Sequence, residues 1–252
     1  MVQACRRLAR GPSDDGSVLL DGDHLLDEAV RARVTIRTLL TDRPDSPLAR
    51  RVGGSGAQVY EGSRDAIQAA SPVRTPSGSV AIAEWAPVAL DRVWSKSPAL
   101  VLALIDVQDP GNLGAIIRSA DALGATGVVT TPGGADPAGW KALRGAMGST
   151  FHVPVARAPL TEIISHARSR KIRIGATTSA TGEPLHRASL VEPLLILLGN
   201  EGAGLDETVT GAADVALRIP MKRGANSLNV GAAAALLVYE ATRQRDARLQ
   251  QV

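Results

Sequence analysis

Residues 98–123 read PALVLALIDVQDPGNLGAIIRSADAL, and this stretch decides the fold. The run 100–105 is apolar without alternation, the pattern of a strand covered on both faces of a parallel sheet. Gly111 and Gly114 then allow a tight turn into a helix over Leu113–Leu123, whose first amides point outward. Asn112 stands near the start of that helix and Arg118 one and a half turns in. In open parallel sheets, ligands bind beyond the carboxyl ends of the strands, so this turn is a candidate site.

The same strand–helix alternation extends to the end of the chain. Strands are expected at Leu100–Ile105, Gly127–Thr131, His152–Val155, Ile172–Thr177, Leu194–Leu198 and Val215–Ile219. Helices are expected at Pro137–Met147, Leu160–Arg170 and Asp206–Ala212, and a long Ala- and Leu-rich helix from Leu228 to about Arg248. The fold class is α/β with a parallel sheet. Upstream lies a smaller α/β unit, with helices at His24–Arg33 and Asp65–Ala70 and extended runs at Val34–Leu40, Gln58–Tyr60 and Gly78–Ala86. Pro87, Ser95, Ser97 and Pro98 break the periodicity over 86–98, which reads as a linker. Two domains are expected, 1–90 and 98–252.

A chain of 252 residues with 44% hydrophobic and 21% charged residues is ordinary globular material. The single cysteine, Cys5, excludes an internal disulfide framework and cysteine-rich zinc modules, and is expected in a frayed, inert terminus. His24, His152, His166 and His186 show no metal spacing, so no metal site is expected. The first apolar run is cut by Arg6, Arg7 and Arg10, and nowhere do 18 apolar residues follow one another. A soluble, cytoplasmic protein without membrane contact is expected. The net charge is only +3, but apart from Lys96, Lys141, Lys171 and Lys222 every cation is arginine, which suits bidentate phosphate contacts. Aromatic content of 2% excludes modules that stack bases on a sheet.

Two further segments follow predicted strands. LGNEGAGL (198–205) places three glycines and Glu201 in one turn, where a carboxylate commonly serves as a cap. IPMKRGANSLNVGAAAA (219–235) runs from a strand through a polar loop into a helix, with Asn226, Ser227 and Asn229 as candidate caps. The dinucleotide fingerprint G-x-G-x-x-G with its acidic partner is missing, as is the phosphate-loop pattern, which excludes a nucleotide-binding oxidoreductase.

Together, N-x-G-x-x-x-R-x-A (112–120), LGNEGAGL and IPM…NSLNV closely resemble the three motifs of the SpoU (TrmH) family, S-adenosylmethionine-dependent RNA ribose 2′-O-methyltransferases of the trefoil-knotted SPOUT class. The resemblance covers 98–252. Through LLDGDHLLDEAV and TPSGSVAIAEW, the first 90 residues look like the family's ribosomal-protein-like α/β substrate-binding domain. The third motif usually continues S-L-N-V-S, where Gly231 stands here.

The resemblance implies catalytic positions at Asn112, Arg118, Glu201, Ser227 and Asn229. It implies a donor pocket formed by Thr177, Leu198, Gly199, Ile219, Met221 and Leu228. Asn112 and Asn229 are expected to position the ribose, and Glu201 to shape the turn and the cofactor gate. Arg118 is expected to anchor a phosphate and stabilise developing oxyanion charge, because guanidinium groups resist deprotonation. Arg144, Lys222 and Arg223 are candidate RNA contacts. A homodimer through the last helix is implied, and ribosomal RNA is favoured as substrate. Transfer RNA and a non-catalytic RNA-binding or assembly factor are the alternatives.

Overall fold

The structure is a computed structural model that describes residues 1–11, 13, 15–222 and 227–250. The chain begins with α1 (Val2–Leu8), β1 (Ser17–Asp21), α2 (Asp23–Arg31) and β2 (Ile36–Thr41). It continues through α3 (Pro47–Gly54), β3 (Gln58–Glu61), α4 (Arg64–Ala70) and β4 (Ser79–Glu84). These strands form a four-stranded sheet ordered β1-β4-β2-β3, in which β4 runs antiparallel to both neighbours and β3 parallel to β2. Ser46 and Ser63 start α3 and α4 by accepting the amides of Ala49 and Ala66, and Pro47 pre-sets the first turn of α3.

The second sheet is built from β5 (Leu100–Leu104), β6 (Gly127–Thr130), β7 (Val155–Arg157), β8 (Arg173–Thr178), β9 (Glu183–Pro184), β10 (Leu194–Leu198) and β11 (Val215–Arg218). Its order is β7-β6-β5-β10-β8-β11-β9, and every pairing is parallel. Helices α5 (Pro110–Leu123), α6 (Trp140–Ala146), α7 (Leu160–Ser169), α8 (Glu207–Gly211) and α9 (Val230–Leu249) complete it. Leu100, Leu102 and Leu104 point into one core with Ile116 and Ile117 of α5 and Leu237 and Val238 of α9. Val101, Ala103 and Ile105 point into the other, with Ile163 and Ala167 of α7. Two buried faces on one strand explain why the sequence shows no alternation there.

Several elements differ from the sequence reading. Cys5 lies in a regular helix, fully buried against Leu19, Ile67 and Val80, and burial pushes its thiol up to about 11. The stretch 86–98 holds a 3-10 helix, Leu90–Trp94, whose Leu90, Val93 and Trp94 pack into the second sheet's lower core. The strand expected at His152–Val155 starts only at Val155, because Pro154 cannot donate to a ladder and Ser149–Phe151 already winds into a 3-10 turn. The last helix starts two residues later than expected, at Val230, since Asn229 is its cap.

The two sheets meet at α6. Leu143 joins the core of the first sheet, and the Trp140 indole donates to the Ala9 carbonyl at 3.0 Å. On its other side α6 packs backbone-to-backbone on α5. A β-carbon at Gly114 would lie 2.5 Å from the Ala142 carbonyl oxygen, so a side chain there has no room.

Candidate active site

Strand register brings the three motifs together. Leu104 pairs with Leu198, so the loops after β5 and β10 leave the sheet side by side. Arg218 pairs with Thr178, which delivers the loop after β11 to the same carboxyl edge. Asp109 caps α5 by accepting the Asn112 amide at 2.7 Å, with Pro110 in the first turn. That cap sets the Asn112 side chain at the mouth of the edge.

The second motif folds back on itself. The Asn200 side-chain oxygen accepts the amides of Gly202 (2.8 Å) and Ala203 (3.3 Å), and the Gly204 amide returns to the Asn200 carbonyl at 3.0 Å. Gly204 adopts φ 70°, and a β-carbon on Gly199 would overlap the Gly204 carbonyl. Asn200 also donates to the Asp106 carbonyl at 3.0 Å, tying the second motif to the first. The turn is thus closed by Asn200, which frees Glu201 to reach a helix about 90 residues away.

Glu201 accepts the amides of Gln108 (3.2 Å) and Asp109 (3.3 Å) and the Asn112 side-chain amide (3.0 Å). A carboxylate at a helix N-terminus is favoured by the orphan amides and the dipole there. Burial draws the Glu201 carboxyl upward, but the bonds from Asn112, Gln108 and Asp109 outweigh it and hold it below the usual carboxylate range. Asn229 completes the chain. Its side-chain amide donates to the Asn112 oxygen at 2.9 Å, while its own oxygen caps α9 through the Gly231 amide at 2.9 Å. A continuous relay, α9 cap to Asn229 to Asn112 to Glu201, therefore joins all three motifs.

Beside the relay lies a cavity of about 450 Å³. Leu198, Ile219, Met221 and Leu228 give it apolar walls, and Thr177, Gly199, Glu201 and Ser227 also line it. Thr177 spends its hydroxyl on the Leu197 carbonyl at 2.9 Å. Arg118 is exposed on α5, one turn beyond Ala115, which faces Gly231 of α9. Arg144 and Lys222 are exposed, whereas Arg223 lies outside the described residues. Among the described residues, no group of acidic, histidine or cysteine side chains could hold a metal ion, and no helix is long and apolar enough to cross a membrane.

Three positions escaped the sequence reading. Asn200, Gln108 and the Asp106 carbonyl hold the loops together, and Asp106 sits at φ 52° with its carboxylate accepting from the Thr131 hydroxyl at 2.6 Å. Asn beside Gly was a visible turn signal. The Asp106 conformation had none.

The profile of the SpoU rRNA Methylase family matches residues 99–239, which takes in this edge and the first half of α9. The chain belongs to the SpoU rRNA methylase family. Among relatives, the 23S rRNA (guanosine(2553)-2′-O)-methyltransferase RlmP of Bacillus subtilis is 36% identical over 225 residues, covering 88% of this chain and 86% of that one. The SpoU methyltransferase AviRb from Streptomyces viridochromogenes, crystallised with AdoMet, superimposes with a TM-score of 0.87 at 31% identity, over 98% of each chain. The AdoMet-bound rRNA methyltransferase from Sinorhizobium meliloti superimposes with a TM-score of 0.85 at 30% identity, covering 96% of this SpoU chain and 94% of its own.

Proposed function

We infer that this chain is an S-adenosylmethionine-dependent RNA ribose 2′-O-methyltransferase acting on ribosomal RNA. The observation that carries this is the Asn229–Asn112–Glu201 relay standing beside a cavity of ligand size. Ribosomal RNA is preferred to transfer RNA because the Bacillus subtilis and Sinorhizobium meliloti proteins, which align along most of the chain, are named for it.

The cavity suits the donor. Its volume falls within the range of roughly 300–1,000 Å³ for small-molecule sites, and its apolar walls with a few polar groups match a purine nucleoside carrying an amino-acid arm. Leu198, Gly199, Ile219, Met221, Leu228 and Thr177 would hold it. When bound, the sulfonium supplies an electrophilic methyl group. The protein's own task is to place a ribose hydroxyl in line with that group and exclude water. We assign ribose positioning to Asn112 and Asn229, with Ser227 at the pocket wall, and the bracing of both loops to Glu201. Arg118 anchors the neighbouring phosphate and stabilises charge developing on the 2′-oxygen. Lys222 and Arg223 contact RNA from the third motif's loop. Arg118→Lys is then expected to keep part of the activity, while Arg118→Ala loses roughly 100–1,000-fold in kcat; equal losses in single-turnover assays would refute the electrostatic role.

Two domains are proposed, an RNA-binding unit over 1–90 and the methyltransferase over 98–252. The second is proposed to be a trefoil knot: beyond β11, on the far side of β8, the chain must return to lay α9 on α5. There Gln244 and Arg245 grip the carbonyls of Ala188, Leu190 and Ala99. A cytoplasmic homodimer is proposed, because Leu236 and Tyr239, three residues apart on α9, are 43% and 55% exposed opposite its buried face. Light scattering at micromolar concentration is expected to give twice the chain mass of 26.1 kDa; a single chain mass would refute the dimer.

The reaction is tested by incubating the protein with labelled S-adenosylmethionine and separated ribosomal and transfer RNA pools, then mapping alkali-resistant linkages. Label in ribosomal RNA at such linkages is expected. Label on a base would refute the reaction, and label confined to transfer RNA would refute the substrate.

A further inference from the structure

We propose that the RNA backbone reaches the active site along a track of four cations crossing both sheets: Arg7 and Arg10 at the end of α1, then Lys141 and Arg144 on α6. The proposal rests on RNA being the substrate and says where it lies. α6 is the physical bridge. At one end, Trp140 packs with the apolar side of α1 and donates to the Ala9 carbonyl, directly beside Arg10. At the other, Gly145 sits against the backbone of Gly111 and Gly114, in the turn of α5 that carries Asn112. A phosphate chain following α6 from α1 therefore arrives at the relay.

All four side chains are exposed. Cys5 and Leu8 bury one side of α1, leaving Arg7 and Arg10, three residues apart, exposed. Ala142, Leu143 and Ala146 bury two sides of α6, leaving Lys141 and Arg144, also three apart, exposed. The Lys141 ammonium stands 5.6 Å from the centre of the Trp140 ring, which fixes its position without neutralising it.

Among the described residues, the cations of this track are not ion-paired. Elsewhere on the first sheet the fold pairs several of its arginines: Arg31 and Arg51 with Asp27, Arg37 with Asp15 and Glu84, and Arg43 with Asp23 and Asp42. Among the described residues, Arg7, Arg10, Lys141 and Arg144 form no ion pair with a carboxylate. Asp21, whose carboxyl feels the Arg144 charge, is buried and hydrogen-bonded to the Ser71 hydroxyl at 2.5 Å, and burial raises it above the usual range despite that charge. Four exposed cations without an ion-pair partner among the described residues suit phosphate binding, with sequence-independent, salt-sensitive affinity.

The test uses the full chain with Arg7→Ala/Arg10→Ala, Lys141→Ala/Arg144→Ala and, as control, Arg50→Ala/Arg187→Ala, two arginines exposed elsewhere. Binding to protein-free ribosomal RNA is measured from 50 to 200 mM salt, and S-adenosylmethionine binding by calorimetry in parallel. Each track pair is expected to weaken RNA binding about tenfold at low salt. Each should also flatten the slope of log affinity against log salt by about 1.5, at roughly 0.7–0.9 per phosphate contact. Donor affinity and the control pair should stay at wild-type values. Track variants with the wild-type slope overturn the proposal while leaving the reaction intact. A control pair that flattens the slope equally also overturns it, because the attraction is then diffuse. Wild-type protein that binds no RNA overturns both the track and the substrate assignment.

Discussion

Replacing Asn112 with alanine is expected to lower kcat about 100-fold while S-adenosylmethionine affinity changes by less than about threefold. Asn112 is the middle link of the relay, donating to Glu201 and accepting from Asn229. Its loss leaves Glu201 held by two backbone amides and Asn229 by its cap, so both loops persist but the ribose-facing groups lose their common register. A displacement on the order of 1 Å at such a site costs about 100-fold in rate, whereas the exposed hydrogen bonds themselves contribute only about 1 kcal/mol each. Asn112→Asp should be worse by a further factor of about 10, because it removes the donor and sets a second carboxylate against Glu201. The Asn112→Asp, Glu201→Gln pair restores a donor–acceptor match and should recover part of that loss. Single-turnover kinetics with donor calorimetry checks all three variants. An Asn112→Ala enzyme within about threefold of wild-type kcat, or a double variant no better than Asn112→Asp, removes the relay from the mechanism.

Gly199→Ala is expected to act on the donor instead, weakening its binding about 100-fold. The Gly199 α-carbon faces the Gly204 carbonyl with no space for a methyl group, so the 199–204 turn must open to admit one. Overpacking of this kind costs about 1–3 kcal/mol. Here the cost falls on the cavity wall, since β10 itself ends at Leu198. At about 1.4 kcal/mol per tenfold, the upper end of that range corresponds to the stated loss. Isothermal calorimetry reads it directly, with near-ultraviolet circular dichroism showing the sheet intact. Donor binding at wild-type strength would mean that the turn does not form the pocket wall.

The parallel sheet was legible because its strands are apolar on both faces: Leu194–Leu198 is found as expected, and Leu100 and Gly127 begin their strands as expected. The first residues were harder. Ser17–Asp21 is a wholly buried strand only because α1 and α6 cover it, and the partner that buries Cys5 includes Trp140, over 130 positions away. No local pattern announces a contact of that range. Asn112, Glu201 and Asn229 could be singled out by type and position, but their joining could not, since it depends on register between β5, β10 and the cap of α9. Glu201 illustrates the gap: a carboxylate in a glycine turn reads as a local cap, yet its partners lie at the start of α5, far along the chain.

Because the relay bonds residues 89 and 117 positions apart, the catalytic constellation has very high contact order. Closing such loops costs entropy that only the finished sheet returns. A partly folded intermediate that holds only the first sheet has no donor pocket, because every pocket-lining residue belongs to the second. Ligand-binding stoichiometry therefore doubles as a census of molecules whose second sheet is complete.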